Sequence, residues 1–427
     1  MTLKYAELKN TPRLLLEAEL KPLQGKRFQP TGFADLGAAR YTLPDGTEML
    51  LVESAQSVAN RMELACWDEA EEKLIPELNG LPYVRVDCGE LGKTNTILEF
   101  HRLNSPYIWE GAETESGNAF RKAFLDDIGL RSARKKKGDA GNDDVPGLLD
   151  FGKFHKAVFK WDTNSVLHGL FLEKVAGRLR MTRALSGFIE ARKVVPAESG
   201  GVKNDQILPS PKQLGLSADD GFGNVPFHRT EFVAEEIKAY FNIDLALLRG
   251  YGLGESATKL LIALALFKIR RFLSTGLRLR TACDLEVIGE VKLIRPEGFP
   301  LPTDGELLSE CKTLIAACQT DNLFSDPAVT VVEWKRPNAG KIELELPAGT
   351  TEPDVPDEMK KRIKWGRATK NKGPKLIFPE GLDADVAERA KALFVGADAV
   401  IKAIDDALSK QIESPPTENG QDGGGDQ

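Results

Sequence analysis

Histidine and cysteine, the residues that most often build metal and nucleophilic sites, are scarce in this sequence. The chain of 427 residues has four histidines and no H-E-x-x-H arrangement, which argues against a metallohydrolase. It has five cysteines and no C-x-x-C pair: Cys66, Cys88, Cys283, Cys311 and Cys318. This usage argues against disulfides and against a zinc site. We therefore expect a protein of the reducing cytoplasm that holds no metal or other cofactor.

Long apolar runs are also missing from the sequence. No run of about 18 apolar residues occurs, so no transmembrane helix and no membrane partner is predicted. The opening "MTLKYAELKN" has no apolar centre of the kind that signal peptides carry. The composition, 41% hydrophobic and 28% charged, is that of a globular protein. Its length suffices for one large elaborated domain or for two to three smaller ones.

An excess of positive charge, the usual sign of nucleic-acid binding, is lacking too. The net charge is −7, but residues 381–427 alone hold ten acidic and four basic side chains, a sum of −6. Residues 1–380 therefore sum to −1, and their basic residues are clustered. Local patches decide the binding of a polyanion more than the total charge does, so such binding is not excluded.

Motifs of nucleotide-binding enzymes are weak. "GYGLGES" at 250–256 fits neither G-x-G-x-x-G nor the P-loop, and it is interpreted as the turn into the helix that follows. His168 lies in the apolar stretch "VLHGLFLE", which we interpret as a strand with a core histidine. No catalytic residue is assigned on these grounds.

The hydrophobic pattern predicts an α+β protein. A strand at 13–23, a hairpin around Pro44, Asp45 and Gly46, and a helix within 50–70 open the chain. Strands follow within 165–192, then a long helix at 255–276 that ends at a glycine, then an alternating strand at 277–291. This order predicts a βαββαβ core.

The sequence divides into three expected parts. The first is 1–295, the βαββαβ core interrupted by insertions at about 100–150 and 193–230. The second, 296–410, is a C-terminal elaboration that contains a basic segment at 359–375 and a short Ala-rich helix at about 383–409. The last, 411–427, is an acidic tail with the composition of disordered chain.

The helix within 50–70 has an unusual outer face. Its buried side is predicted from the recurrence of Leu51, Ala55, Val58, Met62 and Ala65. Its other side carries mostly short hydroxyls and amides, where a solvated helix normally carries pairs of Lys and Glu: Glu53, Ser54, Gln56, Ser57, Asn60 and Arg61. The loop before it adds Gln24, Lys26, Arg27 and Gln29. Such a face suits contacts with sugar and phosphate, or equally a helix packed on another subunit or an insertion.

Two short stretches place arginines on one face of a strand. "GRLRMTR" places Arg178 and Arg180 together, with Arg183 just beyond, and "GLRLRTACDLEV" places Arg278 and Arg280 together. The planar guanidinium can donate two parallel hydrogen bonds to phosphate. Surface strands also carry arginine without any ligand, so both interpretations stay open.

The segment "MKKRIKWGRATKNKGPK" at 359–375 has eight basic residues, no acidic residue and one aromatic residue. Basic residues around an aromatic ring suit an unpaired nucleic acid, whose bases stack on the ring. The alternative is a solvated charged face. The possible contacts are Lys361, Arg362, Lys364, Trp365 and Arg367.

Several stretches together resemble a known family. They are "LKPLQGKRFQPTGFADLGAARY", "LLVESAQSVANRMELACWD", "VLHGLFLE", "VPFHRTEFVAEEIKAYFNIDLALLRGYGL" and "GLRLRTACDL". Over about residues 12–290 the chain is similar to CRISPR-associated RAMP proteins of the Csb-one family, the Cas-seven-type backbone subunit of type I-G (formerly I-U) Cascade. The resemblance implies a modified RRM or ferredoxin-like palm with large finger- and thumb-like insertions.

The resemblance also implies a function without catalysis. Such subunits polymerise head-to-tail along guide RNA (crRNA), hold its sugar-phosphate backbone and present its bases for pairing with target DNA. The implied partners are further copies of the chain, the large and guide-processing subunits of Cascade, and a helicase–nuclease recruited on target binding. The polar helix face would then be a cradle for the guide, and the insertion at 196–226 is the candidate thumb, although its sequence shows no clear hairpin.

No RNP-like aromatic run is found on the expected central strands, where arginine is expected instead. This argues against base stacking on the sheet in the usual RRM manner. Two rival functions remain. One is a RAMP endoribonuclease that cuts target RNA with a loop aspartate, for which Asp35 in "TGFADLG" is the candidate, without a neighbouring carboxylate in its loop. The other is a structural protein that binds no nucleic acid.

Overall fold

The computed structural model describes residues 3–33, 36–109, 114–130, 149–173, 175, 179–204, 206–207, 215–217, 223–334, 342–357, 359–360, 362–367, 373–378, 382, 384–394 and 396–412. The chain forms two compact units, Met1–Trp334 and Lys335–Gln427. Each has a hydrophobic core of its own.

The described elements are as follows. The α helices are α1 (Tyr5–Leu8), α2 (Ala55–Leu64), α3 (Pro106–Trp109), α4 (Glu115–Asp127), α5 (Phe151–Trp161), α6 (Thr163–His168), α7 (Leu245–Gly250), α8 (Glu255–Thr275), α9 (Asp304–Thr320), α10 (Ala384–Ala392) and α11 (Asp398–Ile412). Short 3-10 helices span Pro76–Leu78, Gly89–Leu91 and Arg102–Asn104. The strands are β1 (Arg13–Pro22), β2 (Gly32–Phe33), β3 (Gly37–Ala38), β4 (Arg40–Thr42), β5 (Glu48–Glu53), β6 (Trp67–Asp68), β7 (Lys73–Leu74), β8 (Tyr83–Asp87), β9 (Lys93–Asn95), β10 (Leu170–Leu172), β11 (Leu179–Met181), β12 (Leu185–Arg192), β13 (Val195–Lys203), β14 (Val225–Val233), β15 (Glu236–Asp244), β16 (Arg278–Arg280), β17 (Cys283–Arg295), β18 (Val329–Glu333), β19 (Ile342–Glu345), β20 (Lys364–Gly366) and β21 (Lys375–Phe378).

A seven-stranded antiparallel sheet is the centre of the first unit, in the order β16-β17-β1-β15-β12-β5-β4. Within it, β1, α2, β12, β15, α8 and β17 follow one another as βαββαβ. The first and third strands of this motif are central, and the fourth and second flank them. This is the ferredoxin-like arrangement. The predicted fold class, α+β with a ferredoxin-like palm and insertions, is confirmed.

The alternation along the central strands decides which face of the sheet is buried. On β1, Leu14, Leu16, Ala18 and Leu20 are buried, and the residues between them lie on the other face. α8 contacts both α2 and α9, so it is apolar almost all round. The opposite face of the sheet, here called the open face, carries mostly half-buried side chains on β1 and β15.

The helix predicted within 50–70 is shorter than its periodicity indicated. It is α2, and Leu51, expected on its buried face, belongs to β5 instead. Glu53, expected on its outer face, is also in β5 and is buried. Ser54 sets the boundary, because its extended backbone ends the strand and its hydroxyl accepts a hydrogen bond from the backbone N–H of Ser57. His168, expected in a strand, is the last residue of α6 and is buried.

The expectation of arginines in place of aromatics on the central strands is wrong. Phe188 of β12 and Tyr240 of β15 are cross-strand partners and stack on the open face with ring centroids 5.1 Å apart. Arg180 belongs instead to the two-stranded β10-β11 sheet, and Arg280 to the edge strand β16. The apolar residues between the arginines, such as Leu179 and Leu279, are buried as the alternation predicts. The alternation does not say which sheet a strand joins.

The insertion around 196–226 contains a hairpin that its sequence did not show. β13 and β14 pair antiparallel from Val195↔Val233 to Lys203↔Val225, and form a two-stranded ribbon. Gly200 and Gly201 lie in it, and a Cβ at Gly200 would come within 2.4 Å of the carbonyl oxygen of Phe227. Glycine therefore allows the close approach of the two strands.

The compact division of the chain differs from the expected boundary at 295. α9 packs along α8, and β18 pairs in parallel with β8, so residues 296–334 lie in the first unit. The second unit has the sheet β19-β21-β20 and two helices, α10 and α11, where one Ala-rich helix was expected. Gly396, with a φ of 86°, separates these two helices.

Candidate nucleic-acid interface

The outward face of α2 carries Ser54, Gln56, Ser57, Asn60 and Arg61, all half-buried except for the exposed Gln56. The Gln56 amide donates to Asn60 Oδ1 at 2.9 Å. Arg183 reaches the start of the helix, where it donates to Gln56 Oε1 at 2.8 Å and to the backbone oxygen of Ala55 at 3.1 Å. The predicted polar face is therefore present and is joined to one of the predicted arginines.

Arg61 and Arg280 turn toward the protein. Arg280 forms a close ion pair with the buried carboxylate of Glu53 and donates to the backbone oxygens of Gln29 and Val52, both at 3.1 Å. Arg61 lies 3.9 Å from the same carboxylate and donates to the backbone oxygens of β16. Burial lowers the pKa of both guanidinium groups. These two side chains hold α2, β16 and the 24–29 loop together.

The 24–29 loop lies against the ribbon. Phe28 and Phe232 exchange backbone hydrogen bonds, both at 2.9 Å. Arg27 lies 3.0 Å from the buried Glu231, which Arg229 also approaches at 3.0 Å. Gln24 and Lys26 are exposed beside a cleft that Arg27 and Arg229 also line. The loop thus offers basic side chains at the base of the ribbon.

A second cleft lies beside Arg183, and Arg180 is on its wall. Arg180 is exposed, and its guanidinium lies 4.9 Å from the centroid of the Phe171 ring. Phe100 and His101 line the same cleft, with ring centroids 4.4 Å apart. Sequence reasoning missed the two phenylalanines. Phe171 had a signal, because it occupies the outward position between Leu170 and Leu172.

A buried polar network lies behind this cleft. The Lys268 ammonium contacts Asn164 Oδ1 and His168 Nε2. The Asn164 amide donates to the Glu63 carboxylate at 2.7 Å, and Arg102 pairs with that carboxylate at 2.6 and 2.7 Å. Burial, and then the charge of Lys268, hold the pKa of His168 well below its usual range, so its imidazole is neutral.

The neighbouring Asp162 accepts hydrogen bonds from the Ser165 hydroxyl at 2.6 Å and from the backbone N–H of Asn164 at 3.1 Å. Burial raises the pKa of its carboxyl to about 6, and this effect outweighs the two hydrogen bonds.

The remaining predicted residues are placed as follows. Arg278 is exposed and lies 3.6 Å from Asp284. In the second unit, Trp365 stacks on Phe394 and Arg362 lies 3.8 Å from Asp385, whereas Lys364 and Arg367 are exposed. Arg178, Lys361 and the nuclease candidate Asp35 lie outside the described residues.

Among the described residues of the first unit, direct contacts join the elements that carry the predicted groups. The Gln29 backbone N–H donates to the oxygen of Ala282, Arg61 contacts β16, and Arg183 joins α2 to the cleft at Arg180.

Within the described ranges, no group of three or more His, Cys, Asp and Glu side chains is arranged to hold a metal ion. Over the same ranges, no helix has both the length and the apolar character needed to cross a bilayer.

Part of the chain is similar to a family of CRISPR-associated proteins. Residues 14–196 match the family model described as CRISPR-associated protein GSU0053. This match spans β1 to the start of β13, and so includes α2, Arg180 and Arg183. No curated protein is significantly similar in sequence.

Three solved structures are reported among those that match the chain. One is a chain of a CRISPR RNA-guided surveillance complex, pre-nicking, with 14% identity, 71% of this chain and 89% of that chain covered, and a TM-score of 0.36. Another is Csc2 of Thermofilum pendens, with 10% identity, 72% and 76% covered, and a TM-score of 0.27. A third, from a CRISPR RNA-guided surveillance complex, has 13% identity, 73% and 84% covered, and a TM-score of 0.26.

Proposed function

We propose that this chain is a backbone subunit of a CRISPR effector complex of the Cascade type I-G, and that it polymerises along guide RNA. The observation that carries the proposal is the surface formed by the 24–29 loop, α2, β16 and the arginines beside α2, which direct contacts join together. Much of that surface falls within the residues that match the CRISPR-associated family. The proposed partners are guide RNA, target DNA, further copies of the chain and the other Cascade subunits.

The chemistry of this surface suits a guide of any sequence. The small polar side chains of α2 let a sugar-phosphate backbone lie close to the helix, and Arg180, Arg183, Lys26 and Arg278 supply positive charge around it. Contacts to phosphate and sugar carry no sequence information, and a spacer needs none. Bases held by their backbone remain available for pairing with target DNA. In this proposal Arg61 and Arg280 act by positioning α2 and β16.

Purification of the full-length chain from cells that carry its CRISPR array tests the proposal. We expect a bound RNA of guide length that resists added nuclease. Protein free of nucleic acid by its ultraviolet spectrum would contradict the proposal and favour a purely structural partner. Regular cuts in labelled complementary RNA with Mg²⁺, lost on Asp35→Ala, would favour the endoribonuclease instead.

Arg180→Ala tests the surface itself. The change removes an exposed charge, so we expect weaker binding to all single-stranded RNA sequences alike. The slope of log affinity against log salt should flatten by about 0.7 for one phosphate contact. Arg295→Ala is the matched control, an exposed arginine at the end of β17 that should change neither quantity. If Arg180→Ala left the slope of log affinity against log salt unchanged, Arg180 would not contact the RNA.

A further inference from the structure

The cleft beside Arg183 is lined by two pairs of flat, stackable groups. One pair is the exposed rings of Phe100 and His101, and the other is the Phe171 ring with the Arg180 guanidinium over it. Phe100 is 61% exposed and Phe171 is 37% exposed. Their exposure leaves both rings accessible to a ligand in the cleft. Aromatic rings and arginine planes are the groups on which unpaired bases stack.

The residues that line the cleft include a buried donor without a partner in the described part of the chain. His168 lines the cleft and is 1% exposed. An ammonium has no lone pair to accept with, so Lys268 is the donor to His168 Nε2 and the ring proton sits on Nδ1. Among the residues that the structure describes, His168 Nδ1 has no hydrogen-bond partner. A buried donor of this kind calls for an acceptor.

The orientation of this donor is set by the network behind it. The Glu63 carboxylate accepts from the Asn164 amide nitrogen, so the Asn164 oxygen faces Lys268. Lys268 is thereby held between that oxygen and His168, and the imidazole stays neutral. A rigid neutral N–H group selects its hydrogen-bond acceptor by geometry and not by charge. A carbonyl oxygen or a ring nitrogen therefore suits it better than a phosphate does.

We propose that this cleft binds one unpaired nucleobase, stacked on the Phe100 ring or on the Phe171 and Arg180 pair, with its acceptor edge directed toward His168. The inference rests on the proposed function and makes it more specific, because Arg183 joins the cleft to the outer face of α2. A strand held there by its backbone can turn one base into the cleft. The cleft thereby contributes affinity that depends on the presence of a base.

The test compares two fluorescein-labelled single-stranded RNAs of about 12 nucleotides, a length within the range such sites cover. One carries bases throughout, and the other has abasic sites in its central half. Anisotropy titrations use the full-length chain and its Phe171→Ala, Phe171→Trp and Phe188→Ala variants. Phe188 is the matched control, because it is 36% exposed and lies on the open sheet face.

We expect the unchanged protein to bind the base-bearing RNA about tenfold more tightly than the abasic RNA. Phe171→Ala should abolish most of this preference and leave the affinity for abasic RNA unchanged. Phe171→Trp and Phe188→Ala should retain the preference. Should Phe171→Ala fail to fold, Phe100→Ala replaces it, since that ring is the more exposed.

Equal binding of the two RNAs by the unchanged protein would overturn the inference and leave the proposed function standing. A preference that survives in both Phe171→Ala and Phe100→Ala would place the base elsewhere and would also overturn it. Binding to neither RNA would contradict the proposed function itself.

Discussion

At the scale of single residues, Arg278 and Arg280 lie two positions apart on one strand and differ in environment. The Arg278 side chain is 88% exposed, whereas Arg280 pairs with the buried Glu53. We expect Arg280→Ala to lower the free energy of unfolding of the first unit by about 2 kcal/mol or more, because it removes one partner of a buried carboxylate. Arg278→Ala should change it by less than about 0.5 kcal/mol. Urea denaturation of both variants measures the difference.

The same pair separates a structural arginine from a binding one. Arg278→Ala should weaken RNA binding while stability is kept, as its exposed position permits. An equal decrease of the free energy of unfolding in the two variants would show that the Arg280–Glu53 ion pair does not stabilise the first unit more than the exposed Arg278 does. If both variants lost RNA affinity equally and kept their stability, Arg280 would be assigned to the RNA-binding surface, as the sequence predicted.

Asp162 gives the stability a dependence on pH. Its carboxyl has a pKa of about 6 in the folded protein, against an ordinary value of 3.8. Between these pH values the folded protein keeps a proton on Asp162 that the unfolded chain has released. The protonated carboxyl therefore contributes fully to the free energy of unfolding below about pH 4, and this contribution is lost as the pH rises through 6. Asp162→Asn cannot ionise. The free energy of unfolding of this variant, relative to that of the unchanged protein, should therefore increase by about 2 kcal/mol as the pH rises from about 4 to 6.

Urea midpoints at several pH values, compared between the two proteins, provide the measurement. Comparison with Asp162→Asn cancels the carboxylates whose pKa values are lowered by ion pairs, such as Glu19. A constant difference across this pH range would mean that the buried carboxyl titrates normally.

Sequence alone predicts only part of a residue's role. The alternation in "GLRLRTACDLEV" separated Arg278 and Arg280 from the buried Leu279 and Cys283. It did not distinguish the two arginines, because the partner of Arg280 is Glu53, 227 positions away in sequence. Phe100 was missed for a similar reason: its meaning depends on neighbours that only the folded chain supplies.

At the scale of elements, the long helix α8 was predicted to within one residue, since its strong apolar pattern and its terminal glycine agree. The start of α2 was missed because Leu50 to Val52 suits the end of a strand as well as the start of a helix. The ribbon of β13 and β14 was missed because its residues are mostly exposed and so lack an apolar alternation.

Close packing at Gly187 makes β12 sensitive to one methyl group. A Cβ there would lie 2.5 Å from Cδ1 of Phe241 and 3.0 Å from the backbone oxygen of Tyr240. We expect Gly187→Ala to destabilise the first unit by about 1–3 kcal/mol. The control is Gly305→Ala in α9, where an added Cβ would have no atom of a described residue within 4 Å. This substitution should leave the stability unchanged or increase it. Thermal unfolding of both variants measures the effect. An equal decrease of the two melting temperatures would contradict the prediction.

At the scale of the whole molecule, the βαββαβ order could be predicted because each of its elements has its own local pattern. The unit boundary could not, because it depends on α9 packing along α8 and on β18 joining β8 across more than 240 residues of sequence. Such contacts are tertiary and leave no mark in composition.

The largest-scale prediction concerns assembly. A subunit that repeats along an RNA needs two different complementary surfaces, and contacts of this kind propagate as an open array unless they are capped. Without RNA, the full-length chain should therefore be monomeric or polydisperse. With guide RNA it should form a complex whose mass is set by the RNA, so that doubling the RNA length should about double the number of bound subunits. Light scattering of complexes with a short and a long RNA measures this number. A closed dimer that persists unchanged with and without RNA would contradict polymerisation along the guide, because a two-fold interface uses up the surface that the next subunit needs.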